Sequence, residues 1–418
     1  MKKKYDLLIS LHLKIILSLA STALIAGCSA FTQREPFDSS TLASNTIWDQ
    51  LPPEVEPSKE EPRKEENWEE TQAVKEERSG ETASAPAEPA YIYYSLLSDL
   101  EKQIYDAMLL TANSPDLWEK GLTVPFNISA FDERGVFDAA KNRAWSALSF
   151  DHPELFWLFY SPDPEISIQL SGFHEPDESG QWPVTFKMTK ALPDQPALTA
   201  DFEEAADSFM ADIDTSGQDA YIALQIHDKL ISLVEYDTDL WKNHGDVRDY
   251  GYSAYGALVE NSRGGDHLAV CQGYASAFEY LCQKAGITCT LVCGQAAAGE
   301  TQPEGHTWNL IQLDDGCWYE VDATWDDISQ KVIDEAATSD SDYTRDWIYD
   351  SDYLFRVRHY LYAVDTNYIS NFRDSESYKF ETDNGWYIPM FNSVHIRDES
   401  DFKLPRAEGG IYAHGSLP

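Results

Sequence analysis

Between Val270 and Ile287 the apolar residues recur at a helical interval. Tyr274, Phe278, Leu281 and Ala285 fall at i, i+4, i+7 and i+11, a single stripe on one face. Gly286 stands where a left-handed residue would end the helix, so Cys271 belongs to its first turn. Thr307 to Leu313 and Cys317 to Ala323 read instead as antiparallel strands of a hairpin around Asp314-Asp315-Gly316. Upstream, Leu97, Leu100, Ile104 and Met108 stripe a helix over Tyr93 to Thr111, and further helices are expected at Ala139 to Leu148, Asp201 to Ile213 and Asp219 to Val234. Ile166 to Leu170 and the alternating Val184, Phe186 and Met188 suggest a small antiparallel sheet. Tyr353 to Val364 can add a strand, and Gly385-Trp386-Tyr387 is a strand-like piece whose role the pattern does not assign.

Turn length decides which side chains of the hairpin share a face. A two-residue turn at Asp315-Gly316 would put His306 and Asp322 on opposite faces, because side chains alternate with a period of two. A three-residue loop pairs 313 with 317, and 308 with 322, making His306 the diagonal same-face neighbour of Asp322. Gly316 favours this second case, since it suits the left-handed position of a type I turn followed by a bulge.

The chemistry expected of these groups is thiol-based acyl transfer. A cysteine in the first turn of a helix feels unpaired N–H groups and the positive end of the helix dipole, which favour a thiolate. Cys271 would then be the nucleophile, and His306 would take its proton and later protonate the leaving group. Asp322 would fix the imidazole tautomer and stabilise its charged form. The backbone N–H of Cys271 is one oxyanion donor, and a second is not identifiable.

At Val270-Cys271-Gln272-Gly273-Tyr274-Ala275, His306-Thr307-Trp308-Asn309, Trp318-Tyr319, Val321-Asp322 and Thr324-Trp325, the chain resembles the transglutaminase-like superfamily. Ile226-His227-Asp228 and Val234-Glu235-Tyr236-Asp237 look like the helix and turn that precede the cysteine in bacterial members. The resemblance spans about Asp219 to Asp327, is weaker from Tyr91 to Asp219 and is absent beyond about Tyr368. It implies an α+β fold: a papain-like core whose nucleophile helix packs on an antiparallel sheet, here preceded by an N-terminal α/β extension. The superfamily includes transamidases, peptidases, amidases and members without catalysis, so the resemblance speaks to fold more than to reaction.

The chain ends add localisation and reach. Lys2, Lys3 and Lys4, then the apolar Ile15 to Ile25 and Ile25-Ala26-Gly27-Cys28, read as an export signal over 1–27 that looks like a bacterial lipobox. Cleavage before Cys28 and a diacylglycerol on its sulfur would tether the chain to the extracellular face of the cytoplasmic membrane. Residues 28–90 are rich in Glu, Pro, Ser, Thr and Ala, the composition of a disordered spacer, and Trp68 within it is read as part of that spacer. An extension over 91–218, a catalytic core over 219–370 and strands or a tail of unassigned role over 371–418 follow.

With 72 Asp plus Glu against 31 Lys plus Arg, the net charge of −41 opposes binding to nucleic acid or anionic lipid headgroups. Cys282, Cys289, Cys293 and Cys317 suit buried apolar roles or one disulfide. Without a CxxC pair or a His-rich cluster beside them, no metal is expected, and no cofactor is implied.

Gln272 is a candidate for holding substrate. Trp308, on the hairpin face of His306, is a candidate for excluding water, with a structural role equally open. His227 and His267 read as structural, Tyr274 as core, and Gly294 to Gly305 as a loop, either a flap over the site or an idle one. The aromatics Trp347, Tyr349, Tyr353, Tyr360 and Tyr362 read as sheet packing ahead of a carbohydrate or peptide groove. Two functions stand: an exported, cysteine-dependent acyl-transfer enzyme acting on peptide or protein amides, by transamidation or hydrolysis, and a non-catalytic surface module that binds peptides or proteins with the same fold.

Overall fold

The computed structural model describes residues 90–127, 134–172, 175–242, 248–298, 302–327, 358–373, 380–382, 385–387 and 392–413. Cys28, Trp68, Trp347, Tyr349 and Tyr353 lie outside them, as do the expected signal and nearly all of the spacer. No described helix is long and apolar enough to cross a membrane.

Two helices, α1 (Ile92–Ser95) and α2 (Asp99–Ala112), stand where one was expected. The break is a capping box: the Ser98 hydroxyl accepts the Glu101 N–H while the Glu101 carboxylate accepts the Ser98 N–H, so a new helix starts there. After α3 (Pro115–Lys120), β1 (Leu122–Phe126) and α4 (Arg134–Asp151), a 3-10 turn at Pro153–Leu155 leads into α5 (Phe156–Phe159). The strands β2 (Ile168–Ser171) and β3 (Trp182–Met188) join β1 in an antiparallel sheet of order β1-β3-β2. Val184, Phe186 and Met188 all point into the core. The helix α6 (Gln195–Met210) starts ahead of the expected Asp201, with a proline in its first turn where the missing N–H costs nothing. α7 (Asp219–Leu233) buries Ala223, Ile226 and Leu230.

The core proper begins with β4 (Glu235–Tyr236), α8 (Thr238–Lys242), α9 (Ala254–Leu258), β5 (Leu268–Ala269) and α10 (Cys271–Lys284). Then come β6 (Cys289–Ala298), β7 (Glu304–Gln312), β8 (Trp318–Val321), α11 (Ala323–Asp326), α12 (Thr366–Ile369), β9 (Phe372–Arg373), β10 (Phe380–Thr382), β11 (Gly385–Tyr387) and β12 (Asn392–Arg397). Five strands form an antiparallel sheet in the order β8-β7-β6-β12-β9, and α10 packs on β6 and β7. Tyr274, Phe278 and Leu281 of α10 are fully buried. Gly286 closes that helix at φ +81°, with the Ile287 N–H on the Cys282 carbonyl and the Gly286 N–H on that of Gln283.

The sheet separates two faces. Odd-numbered residues of β7 turn toward α10, where the Asn309 amide donates to the Ala275 carbonyl at 2.9 Å. The even residues His306, Trp308 and Leu310 occupy the other face, part of it a smaller apolar cluster with Val292, Leu361, Val364, Ile369 and Ala407. The β7–β8 register pairs 312 with 318 and 309 with 321, and Gly316 adopts φ +76°, so the loop is the three-residue one.

Three expectations change. Gly294 to Gly305, expected as a loop, is mostly strand, because β6 runs to Ala298 and β7 starts at Glu304. The boundary expected at residue 370 cuts through the sheet: β12 pairs with β6 from Gly294 to Ala298, which gives residues 371–418 a place inside the core. Nor does residue 218 divide two cores, since one apolar cluster runs from Tyr93 to Tyr412 and the Tyr93 hydroxyl donates to the Leu291 carbonyl of β6 at 3.0 Å. Cys282, Cys289 and Cys317 are free thiols, so no disulfide joins any two of the four cysteines in question.

Gly294 lies between β7 and β12, where a Cβ would come within 2.1 Å of the Ile396 carbonyl oxygen and 2.8 Å of the Trp308 ring. Gly294→Ala is expected to lower unfolding free energy by about 1–3 kcal/mol in urea titrations, because the strands must part to admit the methyl group.

Candidate active site

Cys271 is the first residue of α10, behind an extended Val270 whose N–H donates to the Gly251 carbonyl at 3.0 Å. Its side chain is half-buried. His306, near the start of β7, is 7% exposed, and it lies near enough to Cys271 for the two side chains to interact electrostatically. The His306 Nε2 lies 2.6 Å from Asp322 Oδ2, which leaves Nδ1 for the sulfur.

Asp322 follows β8 and caps α11. Its Oδ1 accepts the N–H groups of Thr324 and Trp325, each at 3.1 Å. Its Oδ2 receives His306 and, at 2.8 Å, Nε2 of His395. The carboxylate is fully buried, which by itself would raise its pKa. The positive charge of His306 and the hydrogen bonds from both rings outweigh burial and hold it well below the usual carboxylate range.

The two histidines divide the charge. Burial works against an imidazolium at His306, but the Asp322 carboxylate and the charge and hydrogen bond of Cys271 push its pKa up to about 10. His395 is buried as deeply, and burial together with the nearby His306 charge outweighs Asp322, lowering its pKa. The consistent state is a charged His306 beside a neutral His395 that donates from Nε2, with Nδ1 buried and unpartnered among the described residues.

Aromatic walls hold the rings in place. Trp308 stacks on His306 with centroids 5.9 Å apart, and Trp325 lies against both His306, at 5.2 Å, and His395, at 4.6 Å. The Trp308 N–H donates to Glu320, whose other oxygen accepts from Arg397 at 2.7 Å. Both members of that ion pair are buried, and Arg397 also donates to the Pro405 carbonyl at 2.7 Å. Cysteine in the first turn of a helix, histidine on the next strand pair and aspartate after it are thus gathered at one edge of an antiparallel sheet.

The profile of the transglutaminase-like superfamily matches residues 207–323, the segment that contains all three. Those residues form a transglutaminase-like domain. Around it the chain folds as a papain- or transglutaminase-like α+β core. Kyphoscoliosis peptidase from Mus musculus and that from Homo sapiens are each 38% identical to the chain over 65 residues, 13% of this chain. The chain thereby spans 9% of the length of these curated relatives. Among solved structures, a TGase aligns over 54% of this chain and 57% of its own at 13% identity, with a TM-score of 0.26. A proposed cysteine protease from Cytophaga hutchinsonii aligns over 38% and 62% at 17% identity, with a TM-score of 0.23.

Other candidate residues fall into place around this geometry. Gln272 is buried, its amide donating to the Tyr160 hydroxyl at 2.5 Å. Tyr274 is core, donating to the Val234 carbonyl and Asp327. His267 is a loop residue at φ 52°, its Nδ1 on the Ala257 carbonyl. Tyr362 packs inside the core, its hydroxyl on the Ala220 carbonyl.

Sequence reasoning missed His395, which no local pattern connects to a partner 73 residues away. It also missed Tyr236 and Tyr252. Tyr236 sits on β4 opposite Ala269, and Tyr252 follows the Gly251 carbonyl that holds Val270. For both, burial comes first and the charge of Cys271 second in raising the phenol pKa, for Tyr252 to about 12, so both stay protonated.

Arg397→Met strands a buried Glu320 charge and is expected to cost about 3–5 kcal/mol in denaturant unfolding, most of it recovered in the Arg397→Met, Glu320→Gln double variant. Because the folded pKa of His306 is raised, its stabilisation is complete below the ordinary histidine range and is lost as pH climbs to about 10. The stability difference between wild type and His306→Gln should therefore be largest near about pH 6 and shrink steadily toward that upper limit.

Proposed function

We propose that this protein is a cysteine-dependent acyl-transfer enzyme acting on peptide or protein amides. The observation that carries the reading is a single imidazole, His306, within electrostatic range of the Cys271 side chain and 2.6 Å from a buried, fully hydrogen-bonded carboxylate, Asp322. Deprotonated Cys271 attacks the amide carbon, and the proton held by His306 passes to the departing amine. The S-acyl enzyme is then cleaved by water, giving hydrolysis, or by a second amine, giving transamidation.

The transient oxyanion falls near the Cys271 backbone N–H at the N-terminus of α10. The phenols of Tyr236 and Tyr252, kept protonated by burial and by the charge of Cys271, are candidate further donors for it. The charge on His306 is held by Asp322, which His395 in turn keeps ionised and oriented. Trp308 and Trp325 keep the ring planes fixed and water away from them. The peptidase name of the short-range relatives makes hydrolysis the first outcome to test.

The same proposal includes export. Lys2 to Lys4, the apolar Ile15 to Ile25 and the small residues before Cys28 support a lipid anchor on that cysteine, with the transglutaminase-like domain held outside the cytoplasmic membrane by the acidic spacer.

A thiol-directed amide-mimic probe tests both parts. Wild type should label at Cys271, Cys271→Ala should not label, and His306→Ala should react about 10³-fold more slowly, with Asp322→Asn less impaired than Cys271→Ala. Equal labelling of all variants would reject the enzyme and leave a non-catalytic peptide- or protein-binding module. In cells, Cys28→Ser should move the labelled protein from the membrane fraction to a soluble one, and an unchanged membrane fraction would reject the anchor.

A further inference from the structure

A second group of titratable side chains lies away from the sulfur and takes no part in the reaction proposed above. α7 carries His227 and Asp228 side by side, and the chain returns at His359. The Asp228 Oδ1 is 2.6 Å from His359 Nε2 and 3.1 Å from His227 Nδ1. One donor atom from each of the three lies within 4.8 Å of the others. Both imidazoles are buried, and the Tyr362 ring packs against them with centroids 4.9 and 6.1 Å away. Asp228 is 45% exposed, which opens the group to solvent on one side.

We propose that His227, Asp228 and His359 form a binding site for a divalent transition metal of the zinc class. Two imidazole nitrogens and one carboxylate oxygen, with a fourth position reachable by water, are the donor set and number such an ion takes. Calcium and magnesium, which ask for six or more oxygens, are poorly served by it. Among the described residues Asp228 forms no ion pair with lysine or arginine, and its ion-pair contacts are the two rings.

Asp326 gives the second, independent observation. The His227 Nε2 faces Asp326 Oδ2 at 3.3 Å, both residues fully buried, and neither atom completes a hydrogen bond among the described residues. Without a metal, the ring can donate to Asp228 and Asp326 at once only by carrying protons on both nitrogens, a positive charge in the interior. A metal on Nδ1 puts the proton on Nε2, and the ring then donates to Asp326. A ligating histidine backed by a carboxylate on its other nitrogen is the usual arrangement around bound zinc.

The site would brace the reactive centre from behind. Asp326 lies at the end of α11, the single turn capped by Asp322. The Leu361 N–H donates to Asp326 at 2.9 Å and the Leu361 carbonyl accepts the Asp322 N–H at 3.0 Å. A metal ion joining α7 to His359 therefore fixes the segment that spans both aspartates.

The test uses the full chain in a Cys271→Ala background, stripped with chelator and titrated with Co²⁺ by visible absorption and with Zn²⁺ by calorimetry. One equivalent of tight binding with the intense bands of tetrahedral Co²⁺ is expected, lost in His227→Ala and His359→Ala, and weakened about 10- to 100-fold in Asp326→Asn. Zn²⁺ should also raise the melting temperature of the parent and leave that of Asp228→Asn unmoved, a partly exposed substitution that spares the fold. Absence of saturable binding, or unchanged affinity in Asp228→Asn and His359→Ala, would overturn the site. Binding lost instead in His395→Ala would assign the metal to the His306, Asp322 and His395 group and overturn it equally. Metal binding is read here without any turnover, so the site stands or falls whether or not the protein proves to be an enzyme.

Discussion

One buried carboxylate organises the candidate site of this protein. Asp322 is fully buried, so four donors do what solvent would: two backbone N–H groups of the turn it caps, and two imidazoles. A carboxylate so surrounded remains ionised in the interior and can keep an adjacent ring charged. It needs a second donor that stays neutral, because two imidazoliums whose ring centres lie 5.4 Å apart would repel each other. The lowered pKa of His395 and the raised pKa of His306 are two sides of that one constraint.

The supports radiate outward in layers. Trp308 and Trp325 wall the rings, Glu320 anchors Trp308 through its indole N–H, and Arg397 neutralises Glu320. The indole N–H of Trp308 is satisfied by Glu320, and the Glu320 carboxylate in turn by Arg397. The sheet makes this possible because His306, Trp308, Glu320, His395 and Arg397 all project from one face, while the opposite face is left to α10 and the main core.

Much of this was legible in the chain. The helix behind Cys271 is written in a period that only a helix satisfies, and the hairpin follows from parity and one glycine, both local properties. What was not legible is nonlocal. β12 pairs with β6 about a hundred residues earlier, and nothing near His395 marks it as a partner of Asp322. The split between α1 and α2 was written in Ser98 and Glu101, but the apolar stripe runs straight across the cap and hides it. Gly294 looked like loop composition. Its role emerges only when a third strand presses against it, since small residues serve close backbone approach as readily as turns.

The late position of β12 has a consequence for biogenesis. Cys271, His306 and Asp322 have all been synthesised well before His395 and Arg397, yet the carboxylate reaches its full set of donors only when β12 pairs beside β6. A ribosome-bound or prematurely terminated polypeptide consequently holds a thiol without its finished surroundings.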